Sequence, residues 1–89
     1  MKKLVKVEEV EGEGLVGLLG QQVTFFCGNY IYTGTLVGVN DQFCKLDNAS
    51  IVYDTGALDS KEWDDAQPLP NAAYIMLDWV ESFVVLNKE

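Results

Sequence analysis

The residues of this chain with chemical potential are two thiols, a set of acids and a scatter of aromatics. Cys27 and Cys44 are the candidate nucleophiles. A catalytic thiol ordinarily needs an imidazole base beside it, and the sequence contains no His. The two cysteines are too few for a disulfide scaffold and do not form a Cys-x-x-Cys pair. They read as reduced, partly buried thiols of a cytoplasmic protein. Asp59, Glu62, Asp64 and Asp65 offer hard oxygen donors of the kind Ca²⁺ takes, but without the Asp-x-Asp-x-Asp-Gly spacing of a calcium loop. They read as a solvated acidic loop, and Trp63 within it is a candidate anchor for a protein partner or a side chain that folds back onto the domain. There is no phosphate-binding loop and no nucleophile with a base. The expectation is a non-enzyme, with no catalytic residue, metal or cofactor.

Charge narrows the choice of partner. Fourteen acids face six cations, for a net charge of −8 and a pI of about 4.2. All six cations are Lys, so no Arg is available as a planar fork for phosphate or guanine. Nucleic acid and anionic membranes repel such a chain on average. Binding to a polyanion must come from a local feature, or from an assembly that concentrates few cations.

The elements that must position these residues fit in one domain of 89 residues. The apolar run 83–86 is far short of the ~20 residues of a membrane span, so no membrane is expected. Residues 1–14 form a charged lead-in, with Lys2, Lys3 and Lys6 ahead of Glu8, Glu9, Glu11 and Glu13. It is expected to be a mobile tail or an added edge strand, and it lacks the apolar stretch of a secretory signal. Leu15, Leu18 and Leu19 fall on one face of a short helix over 14–20, which its glycines make stable only when docked.

Strand signals follow. In 22–27, Val23, Phe25 and Cys27 alternate with Thr24 and Phe26. Gly28-Asn29 is a two-residue hairpin turn, and 30–39 is the return strand, with Gly34 and Gly38 permitting a sharp bend. After a turn at Asn40-Asp41, residues 43–47 place Cys44 and Leu46 on one face and Phe43, Lys45 and Asp47 on the other. Asn48-Ala49-Ser50 reads as a bulge before 51–53. Residues 54–72 are an acidic variable loop, in which Ser60 is positioned to cap one helical turn. Strands at 73–77 and 82–86 close the chain, joined by Asp78-Trp79-Val80-Glu81. Tyr74-Ile75-Met76-Leu77 and Phe83-Val84-Val85-Leu86 are apolar on both faces. A small open sheet keeps one face wet, so a second chain is expected to cover these eight residues, the candidate subunit interface.

This order of elements resembles the Sm/LSm-like (Hfq-like) family of small β-barrels, including small marine-phage Sm-like proteins. Residues 20–41 are similar to the first Sm motif, above all Tyr32-Thr33-Gly34-Thr35-Leu36, and Asp41-Gln42-Phe43 resembles the turn of bacterial Hfq-type members. The resemblance implies a mainly β fold: a five-stranded, strongly bent SH3-like/Sm-like barrel with a short N-terminal helix. It implies a homo-oligomeric ring of about five to seven subunits, in the cytoplasm of a bacterial or phage-infected cell. It also implies binding of single-stranded U-rich or A-rich RNA. Carried over by position, the RNA site comprises Asp41, Gln42, Phe43 as stacking platform and Lys45 where the family usually has Asn, with Asp78 and Trp79 in the last link. In a second register Asn40 takes the acidic position and Cys44 that of the Asn. The usual Arg-Gly of the last turn is absent. An acidic ring working through protein contacts, without nucleic acid, is the alternative.

Overall fold

Alternating apolar residues and glycine-marked turns produce a single antiparallel sheet. The computed structural model describes residues 12–88, so most of the charged lead-in lies outside the described residues. The chain runs through α1 (Gly14–Gly17), β1 (Gln22–Cys27), β2 (Ile31–Val39), β3 (Phe43–Asp54), β4 (Asp65–Pro68), β5 (Ala73–Met76), a 3₁₀ turn (Leu77–Trp79) and β6 (Val80–Val84). The strands lie in the order β4-β3-β2-β1-β6, and β5 also pairs with β3. β3 is long enough to serve two partners on one side: its first half pairs with β5 and its second half with β4.

This topology forces the bend. β5 and β6 stand at opposite ends of the path β5-β3-β2-β1-β6, yet only the 3₁₀ turn separates them in sequence. A flat sheet would hold those ends several strand spacings apart. The Leu77 N–H donates to the Gln42 carbonyl at 2.9 Å and the Gly28 N–H donates to the Trp79 carbonyl at 3.2 Å, tying the turn to both ends. The result is a mainly β, strongly bent sheet with one short helix. It has six strands where five were expected, and β5 and β6 do not pair with each other, so it is not a closed barrel.

The bend is built into β2 and β3. Thr33 pairs with Ser50 and Thr35 with Asp47, so Asn48 and Ala49 together oppose Gly34. Asn48 has a φ of 49°, a left-handed conformation that Asn tolerates better than most residues. This is the bulge expected at 48–50, and it carries Ala49 into the core. A Cβ on Gly34 would lie 2.9 Å from the Asp47 carbonyl oxygen and 3.1 Å from both the Ala49 Cα and the Leu46 Cβ. Only glycine lets the strands approach this closely. A second irregularity leaves Val37 without a paired partner between Leu36 and Gly38, and there a Cβ on Gly38 would meet only the Lys45 Cβ, at 3.6 Å.

Inside the curve, Val23, Phe25, Leu36, Cys44, Leu46, Ala49 and Ile75 form the core. The expected inward pair Cys44 and Leu46 is fully buried. On the other face of β1 and β2, Thr24 and Thr33 are also buried, and their hydroxyls lie 3.1 Å apart and satisfy each other. α1 docks through Leu15 and Leu18, which pack on the core, and is pinned by hydrogen bonds from Gly20 N–H to the Leu36 carbonyl and from Leu36 N–H to the Gln21 carbonyl. Leu19 departs from the expected helical face: the helix ends at Gly17, and Leu19 is exposed.

Two further expectations are corrected. Ser60 caps no helix; its hydroxyl lies within hydrogen-bonding distance of the Ala57 and Glu62 carbonyls, and the chain then enters β4 at the sheet edge. Pro68 sits in that edge strand, where its missing N–H costs little. The last strand runs over Val80–Val84 rather than 82–86, because the 3₁₀ turn is more compact than an extended link.

Gly34→Ala is expected to lower the unfolding free energy by about 1–3 kcal/mol, as overpacking against backbone does, whereas Gly38→Ala stays within about 0.5 kcal/mol. Denaturant melts of the two variants against the parent check this contrast.

Candidate functional site

Local chemistry shapes the turn between β2 and β3. The Asn40 side-chain oxygen accepts from the N–H groups of Gln42 at 2.7 Å and Phe43 at 2.9 Å, and the Asn40 N–H donates to the Phe43 carbonyl at 3.0 Å. This is an Asx-type turn. Asn40 therefore holds the turn, while Asp41 and Gln42 are left exposed at its tip. The hydrogen bond from Leu77 to Gln42 and the pairing of Phe43 with Met76 then bring the 3₁₀ turn alongside. Asp41, Gln42 and Phe43 thus share one end of the sheet with Asp78 and Trp79, although some 35 residues separate the two groups in sequence.

Aromatic surface collects around this junction. Phe43 and Tyr74 meet edge-to-face with centroids 5.5 Å apart, and the Lys45 ammonium lies 5.9 Å from the Tyr74 ring centroid. Phe43 is half-buried, whereas Tyr74 is 58% and Trp79 67% exposed. Trp79 and Tyr74 also border a cleft of about 270 Å³ with Cys27, Tyr30, Tyr32 and Met76. Tyr30 and Tyr32 stand 6.2 Å apart at its hairpin side. The cleft therefore offers flat aromatic faces and hydroxyls. Sequence reasoning singled out Phe43 as the stacking surface and did not include Tyr30 or Tyr32; the exposure pattern assigns the freer faces to Tyr74 and Trp79.

The eight candidate interface residues divide by environment. Ile75 is buried in the protein's own core, and Leu77 and Val85 pack against it. Tyr74, Met76, Phe83 and Val84 are exposed, and Leu86 is half-buried. β5 therefore alternates after all, with Ile75 inward between two outward residues, while Glu81, Ser82, Phe83 and Val84 of β6 are all exposed. Among the described residues, no strand pairs with the outer edge of either β5 or β6.

In the acidic loop, the indole of Trp63 is half-buried with its N–H enclosed, and it lies beneath the Lys88 ammonium rather than standing free as an anchor. Among the described residues no three cysteines and carboxylates converge as metal ligands, and no helix is long and apolar enough to cross a membrane. Burial pushes the Cys27 thiol above its ordinary value of 9.0, with the Glu81 carboxylate adding to the effect, and burial does the same to Cys44. Both thiols stay protonated at neutral pH, which is the wrong state for a nucleophile. Burial, and then the neighbouring Cys27, Tyr30 and Tyr53, likewise raise the Tyr32 phenol above 10.0.

Comparison with known proteins gives no match to any family model and none among curated proteins.

In native protein at pH 7, Cys44 is expected not to react with a disulfide reagent and Cys27 to react more slowly than free cysteine; denaturant makes both reactive. The folded state holds these protons more tightly than the unfolded chain. The thiols' contribution to stability is therefore whole below about pH 9 and is lost as the pH rises through the higher folded values, which melts from pH 7 to 10.5 would register.

Proposed function

We propose that this chain is a ring-forming Sm-like protein of about five to seven copies that binds single-stranded U-rich or A-rich RNA and serves RNA metabolism. The observation that carries the reading is the meeting of the 40–43 turn with the Leu77–Trp79 turn, held by the hydrogen bond from Leu77 to Gln42. It sets the exposed Trp79 at the same cleft as Tyr74, whose exposed ring lies beside Lys45. Stacking of a base on an aromatic side chain contributes ~1–3 kcal/mol and requires no particular sequence. Lys45 supplies positive charge at the same place, and a ring multiplies it.

Assembly is supported by the two outer edges. Among the described residues, the outer edges of β5 and β6 are unpaired and are flanked by Tyr74, Met76, Phe83 and Val84. Pairing the β5 edge of one copy with the β6 edge of the next is a head-to-tail contact, which closes into a ring when its rotation divides a full turn. Such pairing satisfies the backbone groups and covers apolar surface together. Asp41 and Asp78 stand beside the proposed RNA path and oppose phosphate, so affinity is expected to be modest and steeply salt-dependent.

A second reading, an acidic ring that works through protein contacts, is favoured by the charge distribution. Of the cations in residues 12–88, Lys88 is buried, leaving Lys45 and Lys61 against a carboxylate-rich surface.

Sedimentation velocity is expected to show one species of about 50–70 kDa, from a chain of 9.9 kDa. A monomer at high concentration would overturn the ring. Fluorescence anisotropy at about 20–50 mM salt is expected to detect binding of U-rich or A-rich oligoribonucleotides, weakened at least about fivefold by Trp79→Ala or Phe43→Ala. An intact ring with no affinity under those conditions rejects RNA and leaves the protein-contact reading.

A further inference from the structure

The loop between β3 and β4 contains a feature that neither reading uses. Lys88 is 1% exposed, which is rare for a lysine because an ammonium loses its hydration on burial. Its Nζ lies within hydrogen-bonding distance of the carbonyls of Thr55 at 3.0 Å, Ala57 at 2.7 Å and Glu62 at 2.8 Å, and of the Ser60 hydroxyl at 2.8 Å. The face of Trp63 lies 4.9 Å away, measured to the ring centroid. An ammonium has three protons and no acceptor, so four oxygens around it exceed its donor capacity. None of the four carries a charge. Among the described residues, compensation comes from converging dipoles and a π face rather than from a carboxylate, even though the loop is rich in carboxylates.

The loop also has local contacts of its own that build this cage. The Asp54 carboxylate accepts from the Gly56 N–H at 3.0 Å, and the Thr55 hydroxyl donates to the Gly56 carbonyl at 2.8 Å. Gly56 adopts a φ of +64°, a left-handed conformation that favours glycine, with the Asp64 carboxylate close by. Three carbonyls held toward one point repel one another unless a cation lies between them. The arrangement is thus a receptor for a positive group that can also donate several hydrogen bonds, with an indole wall that favours a cation over a neutral donor.

We propose that residues 55–63 form an alkylammonium-binding site whose resident ligand is the Lys88 side chain of the same chain. The site takes a primary ammonium on an unbranched alkyl stem: the protons meet the oxygens, and the charge meets Trp63. Its occupation latches the C-terminal tail four residues beyond β6 and thereby tethers the outermost strand to the acidic loop. This latch requires neither RNA nor a second copy of the chain.

Lys88→Ala empties the site without touching its walls. Amide hydrogen exchange over 54–64 is expected to rise about tenfold and Trp63 emission to shift; Trp79→Phe in both parent and variant isolates that signal. Millimolar n-butylammonium chloride is expected to restore both readouts, and equal concentrations of sodium chloride or of tetramethylammonium chloride, which has charge but no N–H, are not. Unchanged exchange in the variant overturns the proposal. So does recovery with tetramethylammonium as good as with n-butylammonium, or no recovery with either. Should the variant not fold, ¹⁵N-lysine NMR of the parent decides: a slowly exchanging ammonium signal, lost on Lys88→Met or absent from spectra of the tail-truncated chain, supports the site. A parent spectrum with no protected ammonium overturns it.

Discussion

The structure depends on the close passage of β2 and β3 at Gly34. There the bulge at Asn48 and Ala49 lies against a backbone position that has no room for a Cβ. This single contact turns what would be an ordinary hairpin into a curved one. Curvature lets one sheet enclose Phe25, Leu36, Leu46 and their neighbours. It also brings the two ends of the strand order within reach of the three-residue turn at Leu77–Trp79. The described residues form one sheet, so the core exists because that sheet folds over itself.

The same bend creates the candidate site. Two turns remote in sequence meet because both lie at the end where the sheet curls, and the backbone hydrogen bond from Leu77 to Gln42 ties them together. Their aromatic residues are left outside because the inward positions are already filled. Tyr74 and Met76 face out for the same reason that Ile75 faces in: β5 is a strand, and its sides alternate. β6 is different. It pairs with β1 on one side, its other edge is unpaired among the described residues, and beyond the half-buried Val80 it is exposed along both faces.

Charge is handled in two distinct ways. At the turns, Asp41 and Asp78 stay in water, where carboxylates are most stable, and Lys45 leans over a tyrosine ring. At the loop, a cation is withdrawn from water and held by neutral oxygens. The acidity of that loop in sequence points to its carboxylates, yet its backbone carbonyls hold the ammonium, and the Asp54 carboxylate shapes the chain beside it by accepting from the Gly56 N–H.

The amino-acid order by itself determined the β character, the span of β1, the inward side of β3 and the location of the bend. Alternation and turn chemistry act over a few residues and leave a readable mark, as in Val23 and Phe25, Cys44 and Leu46, and Gly34. Even Asn40 as the turn-holder was within reach, since an Asx turn is local; it was obscured by the neighbouring Asp41. Tertiary structure alone decided that β3 is shared between β4 and β5, that Ile75 belongs to the core, and that Lys88 closes on residues 55–62. Those outcomes join positions tens of residues apart, 26 to 33 in the case of Lys88. No periodicity encodes such a meeting, because it depends on where the curved sheet carries the end of the chain.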